Sequence, residues 1–159
     1  MMQNVNITSV NVRGLNTYEK RNKFFTWVNQ SKIDVLLLQE THFIEKFKEK
    51  YDTNWNGKSI HAFSDSAYSR GVSILFRKEL DVQILNTHKS EDARTVLVNV
   101  TLNDEILSFV SIYAPNSDNA RIPFFNRLKT FITCNIPQES KVFLCGDFNC
   151  CMEKKMINL

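Results

Sequence analysis

The chain has 159 residues and a mass of 18.5 kDa, enough for one domain with a real core and too little for two. Its 43% hydrophobic and 23% charged residues exclude a disordered chain, and 4 Gly with 3 Pro exclude collagen-like and low-complexity scaffolds. A formal charge of +3 permits contact with phosphates but is too weak to argue for nucleic acid by itself.

In chain order, Asn6–Asn11 reads as a short strand with Ile7 and Val10 apolar, ending at Arg13-Gly14. Tyr18–Gln30 has helical spacing, with Phe24, Phe25, Trp27 and Val28 toward one side and Thr17 as the N-cap. Ile33–Leu38 is a continuous apolar run, which means a strand covered on both faces. Ile44–Tyr51 reads as a short amphipathic helix, and the basic residues Lys46 to Lys50, interleaved with Glu45 and Glu49, as a solvated helix face. Successive β segments follow at Ser59–Phe63, Gly71–Phe76, Val82–Leu85, Thr95–Leu102 and Ile106–Tyr113, the last two joined as a hairpin through Asn103-Asp104. Pro115 ends that series. Ile122–Cys134 is again helical, closed by Pro137, and Lys141–Cys145 is a final buried strand running into Gly146-Asp147. Mixed strands and helices with an antiparallel middle predict an α+β layered sandwich.

The first ten residues carry neither a basic nor an apolar signal region, and no uncharged apolar run approaches the ~18 residues that span a bilayer. The expectation is an intracellular, soluble chain without a membrane partner. Cys134, Cys145, Cys150 and Cys151 show no zinc spacing and read as reduced thiols.

Polar residues recur at the C-terminal ends of the apolar strands: Asn11, Gln39-Glu40, Tyr113, then Asp147 and Asn149. Sheet proteins place sites where strand ends meet. Two carboxylates and two amides form an oxygen-rich set, suited to Mg²⁺ or Mn²⁺ and unsuited to zinc. Singly, each has a plainer reading: Asn11 as a turn former, Glu40 as a surface acid at a strand end, Tyr113-Ala114-Pro115-Asn116 as a strand end and turn. Gly146-Asp147-Phe148-Asn149 would then be an Asx turn with Phe148 in the core.

The segments SVNVRGL (9–15), LLLQETH (36–42), SRGVSILF (69–76), SIYAPN (111–116) and LCGDFNC (144–150) together resemble the endonuclease/exonuclease/phosphatase superfamily. The wording is nearest to the endonuclease domains of LINE-type non-LTR retrotransposons, relatives of exodeoxyribonuclease III and the apurinic endonucleases. This resemblance implies a deoxyribonuclease-like α/β/β/α sandwich over residues 1–150, incomplete at the C-terminus, with 151–159 an unmatched tail. It implies that Glu40 and Asn11 hold a metal ion, Mg²⁺ or Mn²⁺. Tyr113 would hydrogen-bond the scissile phosphate, Asp147 would activate the nucleophile, and Asn149 would accompany it against the phosphate oxygens.

The implied reaction is water attack on a DNA phosphodiester, leaving 5′-phosphate and 3′-hydroxyl, with DNA repair-type apurinic-site activity in some relatives. The implied setting is a nuclear monomer, or a fragment of a longer reverse-transcriptase polyprotein. Arg94 after Asp92 resembles an arginine of the family, or is an ordinary surface ion pair. The family pattern continues with a further aspartate and a Ser-Asp-His segment that no position here matches. His42, two residues beyond Glu40, is the candidate surrogate, whereas His61 and His88 read as strand and loop residues. Two classes of function follow: a metal-dependent DNA endonuclease or exonuclease, or a non-catalytic remnant that binds metal or nucleic acid. A relative acting on inositol phosphates or phospholipids is the third reading.

Overall fold

The computed structural model describes residues 4–150; the expected tail, 151–159, lies outside the described residues. Two four-stranded sheets pack face to face, each with a helix on its outer side. The first sheet has the order β1-β2-β4-β3, from β1 (Ile7–Asn11), β2 (Val35–Gln39), β3 (Gly57–Ala62) and β4 (Val72–Arg77). The second has the order β5-β6-β7-β8, from β5 (Gln83–Lys89), β6 (Thr95–Leu102), β7 (Glu105–Tyr113) and β8 (Lys141–Asp147). Helix α1 (Tyr18–Gln30) crosses from β1 to its parallel neighbour β2, and α3 (Asp118–Asn135) crosses from β7 to its parallel neighbour β8. This is an α+β sandwich layered α/β/β/α.

The alternation of strand side chains explains the layering. Val35 and Leu37 face the second sheet with Ile74 and Phe76, where they meet Val96, Val98, Val100, Leu107 and Phe109 in the central core. The rings of Phe76 and Phe109 meet edge-on there, centroids 5.4 Å apart. Leu36, Leu38 and Leu75 face outward against Phe25 and Val28 of α1, with Phe43, Tyr51 and Trp55. Leu97, Val110 and Ile112 do the same under Phe124 and Leu128 of α3. β2, apolar from Val35 to Leu38, is thus buried on both faces, as its sequence required.

Several expectations are corrected. In α1, Trp27 is 52% exposed, and the buried stripe is Arg21, Phe25 and Val28, at i, i+4 and i+7. Arg21 is tolerated there because Nη1 donates to the carbonyls of Leu15 and Asn16 and Nε to Asn54. Thr17 sits at the N-cap in extended conformation, but its side chain makes no capping bond. Ile44–Tyr51 resolves into a 3-10 turn (Glu45–Phe47) and the short helix α2 (Lys48–Asp52), anchored by Tyr51 stacked on Phe43. Strand β5 runs to Lys89, well beyond Leu85; it is an exposed edge strand with an irregularity between Ile84 and Asn86, so its polar half carries no alternation to read. Helix α3 begins at Asp118, ahead of the expected Ile122, and carries Pro123 inside it.

The Asn103-Asp104 hairpin forms as expected, both residues at positive φ (51° and 63°). Cys134, Cys145 and Cys150 are free thiols, and burial pushes the Cys145 thiol up. Among the described residues β8 is the last strand of its sheet, and its outward residues Val142 and Leu144 are exposed. Among the same residues, no helix is long and apolar enough to cross a membrane.

Candidate active site

Four strand ends converge at one rim of the sandwich. Asn11 ends β1 beside Gln39, and Tyr113 ends β7 beside Asp147, which ends β8. Asn11 joins the two sheets: its Nδ2 donates to Glu40 Oε1 and to Asp147 Oδ2, both at 2.8 Å. Beneath it Gln39, fully buried, donates from Nε2 to Ser111 of the second sheet (3.0 Å) and Ser9 of the first (3.2 Å). A polar side chain at the end of an apolar strand is therefore satisfied by bonds that tie the sheets together under the site.

Glu40 leaves β2 with φ 52°, a left-handed conformation costing on the order of 1 kcal/mol or more for a non-glycine residue. Hydrogen bonds on both sides hold it there. Gly14 N–H donates to the Glu40 carbonyl at 2.6 Å and Leu15 N–H to that of Thr41 at 2.9 Å. The N–H groups of Thr41 and His42 donate to Gly71 and Arg70. The plainer readings of Asn11 and Asp147 also hold. Asn11 Oδ1 accepts from Arg13 N–H and Asp147 Oδ1 from Asn149 N–H, each an Asx turn, and Phe148 packs beside Phe125. One end of each side chain shapes its own loop, and the other end faces the site.

Tyr113 is nearly buried, and its phenol is pushed up first by burial, then by the charge of Glu40 and a hydrogen bond to it. The guanidinium of Arg94 lies 5.0 Å from the Tyr113 ring centroid, and its Nη1 donates to the Tyr113 carbonyl at 3.1 Å. Arg94 therefore props the tyrosine. Asp92 uses Oδ1 on the Ser90 hydroxyl and the Arg94 amide, so the expected surface pair is instead a turn and a brace. Asn149 lies next to Asp147 with Nδ2 donating to the Ala114 carbonyl at 2.7 Å, and Arg121 donates to the Asn149 carbonyl.

All five residues expected from the sequence meet at this rim. Reading the sequence missed the supports: Gln39 with Ser111, and Arg121, whose first-turn pairing with Asp118 was hidden because the helix was read from Ile122.

His61 lies between Asp52 Oδ1 (3.0 Å) and Ser73 Oγ (2.7 Å), an order suggestive of a nucleophilic triad. Ser73 has no exposed surface, so this is a core network and not a second active site. His88 meets Phe131 edge-on. Of the three histidines, His42 alone borders the rim.

Among the described residues, no group of three or more His, Cys, Asp or Glu side chains converges as a ready cage. The rim offers two carboxylates and neighbouring amides. That fits a hard, largely water-ligated ion such as Mg²⁺, which is held through one or two carboxylates; Glu40 and Asn11 would hold it.

A family model described as the Endonuclease/Exonuclease/phosphatase family matches residues 8–155, and the chain belongs to that family. It is 24% identical over 157 residues to the transposon TX1 uncharacterized 149 kDa protein of Xenopus laevis, covering 95% of this chain and 12% of that protein. It is 25% identical to an exodeoxyribonuclease of Bacillus subtilis (90% of this chain, 58% of the relative) and 29% identical to the DNA repair nuclease APEX1 of Danio rerio (92% and 49%). The chain thus spans between about an eighth and three fifths of these relatives. Among solved structures, D. rerio TDP2 complexed with single strand DNA product superposes with a TM-score of 0.69 at 22% identity, over 93% of this chain and 62% of that one. A mannosyl-6-phosphatase of Bacteroides thetaiotaomicron superposes with a TM-score of 0.71 at 15% identity, over 92% and 66%. At such identities these likenesses speak for the fold, which is shared by enzymes of different substrates.

Proposed function

We propose that the rim is a metal-dependent phosphodiesterase site acting on DNA. The observation that carries this reading is the bridge from Glu40 through Asn11 to Asp147, with Tyr113 beside it. Two carboxylates, an amide and a phenol gathered at one rim suit the roles of metal ligand, proton acceptor and neutral O–H donor. Mg²⁺ or Mn²⁺ held by Glu40 and Asn11 would supply Lewis-acid stabilisation of the charge gathering on the phosphate.

Asp147 orients the attacking water and accepts its proton. Tyr113 donates its O–H to a non-bridging phosphate oxygen, and the raised phenol keeps that proton in place. Asn149, held beside Asp147 by its backbone N–H, would accompany it against the phosphate oxygens. Water oxygen bonds to phosphorus, the P–O3′ bond breaks, and O3′ takes a proton from solvent water, leaving 3′-hydroxyl and 5′-phosphate. DNA is favoured over other phosphodiesters because the exodeoxyribonuclease and the DNA repair nuclease among the relatives are named for it. The transposon relative, matched over 12% of its length, favours a segment of a longer element-encoded product.

A test is incubation of the chain with supercoiled plasmid and with an abasic-site duplex in Mg²⁺, and again in EDTA. The expected products carry 5′-phosphate and 3′-hydroxyl ends and are absent in EDTA. DNA binding without nicking in Mg²⁺ would establish the second reading, a non-catalytic remnant.

A further inference from the structure

We infer that His42 is a positioning residue for the metal-binding carboxylate of Glu40, an inference that rests on the proposed role of Glu40. Nε2 of His42 is shielded from solvent and has no hydrogen-bond partner among the described residues, an arrangement a buried imidazole nitrogen seldom keeps. It stands 3.6 Å from Glu40 Oε2, just beyond hydrogen-bond length. The other oxygen, Oε1, is already occupied by Asn11. Oε2 is the oxygen that His42 addresses, and with two lone pairs a carboxylate oxygen can take both an N–H donor and a cation.

The backbone is built for this approach. Glu40 and His42 both adopt left-handed φ, 52° and 58°, on either side of Thr41. The imidazole lies over Gly14 (φ +85°), where a Cβ would come within 2.8 Å of His42 Nδ1. Gly14 also donates its N–H to the Glu40 carbonyl. One glycine thus seats the ring and grips the residue the ring serves. A sub-ångström shift lets Nε2–H close onto Oε2 and fixes the carboxylate's rotation, as outer hydrogen bonds fix ligating carboxylates elsewhere. His42 faces Glu40 and is accordingly a brace for the metal ligand and not a substitute proton acceptor beside Asp147.

The test compares the chain with His42→Ala, His42→Gln and Glu40→Gln, titrating Mn²⁺ alone and following free Mn²⁺ by electron paramagnetic resonance. Thermal midpoints in EDTA report folding. The expected result is a ~10-fold or greater loss of Mn²⁺ affinity in His42→Ala, with most of it recovered in His42→Gln, whose amide N–H can reach Oε2. Unchanged affinity in His42→Ala overturns the inference. So does equal loss in His42→Ala and His42→Gln, which would assign the effect to the ring's seat on Gly14. If Glu40→Gln binds Mn²⁺ as well as the parent chain, the metal role of Glu40 fails and this inference fails with it.

Discussion

Asn11 and Asp147 stand 136 residues apart in sequence and 2.8 Å apart in space, amide nitrogen to carboxylate oxygen. The contact joins an outer strand of one sheet to an outer strand of the other, and the same nitrogen holds Glu40. A neutral donor between two carboxylates separates like charges that would otherwise face each other. Asn11→Asp replaces that donor with a third carboxylate. The expected result is a thermal midpoint lowered in EDTA by about 2–4 °C, corresponding to ~1 kcal/mol, and largely restored by millimolar Mg²⁺. Scanning fluorimetry in both buffers checks this; an equal drop in both would mean that charge is not the cause.

Tyr113→Phe removes the O–H that the proposed mechanism gives to the phosphate while keeping the ring under Arg94. Nicking is expected to fall by ~10²–10³-fold with an unchanged melting midpoint, the usual effect of deleting one donor to a developing oxyanion. Burial, the largest cause of the raised phenol, keeps the donor protonated at neutral pH. A pH–rate profile of the parent chain should show no loss between pH 7 and pH ~9 that Tyr113→Phe abolishes.

Gly146 sets Asp147 in place. A Cβ there would lie 2.1 Å from the Ile112 carbonyl oxygen, a backbone atom that β7 holds fast. Gly146→Ala must therefore push β8 away from β7. A stability loss of ~1–3 kcal/mol is expected from urea unfolding, with nicking falling further than the fraction unfolded accounts for. Nicking that tracks only the folded fraction would show that Asp147 tolerates the shift.

The Asp52–His61 pair makes acid stability a separate readout. The hydrogen bond from His61 is the largest influence on Asp52 and, with Ser59, outweighs burial, holding the carboxyl below its ordinary 3.8. The folded chain binds that proton less readily than the unfolded chain. The contribution is therefore complete above the unfolded value near 4 and is lost as pH falls through the lower folded value. Asp52→Asn is expected to flatten the fall in urea midpoint between pH 5 and pH 3 while leaving nicking at neutral pH unchanged. An identical slope in the variant would place acid sensitivity elsewhere.

What the sequence revealed follows from burial. Val35–Leu38 was legible because a strand covered on both faces must be apolar throughout, and Asn103-Asp104 because a tight hairpin needs positive φ at both positions. The second half of β5 was not, since an exposed edge selects no alternation. Trp27, expected on the apolar side, lies outside the buried stripe, and Arg21 lies within it because three acceptors in reach satisfy its guanidinium. At the rim, Asn11, Glu40, Tyr113 and Asp147 were legible as strand-end polar residues in family order. Gln39 bridging to Ser111, Arg121 at Asn149 and His42 over Gly14 depend on contacts between distant segments, which no local pattern records.

The most direct measurement is nicking of supercoiled plasmid in Mg²⁺ by this chain and by Glu40→Ala, both shown to be folded by circular dichroism. The account predicts metal-dependent nicking by the parent chain that falls to background in the variant. Equal nicking by the two proteins, or none from the folded parent chain, would contradict it.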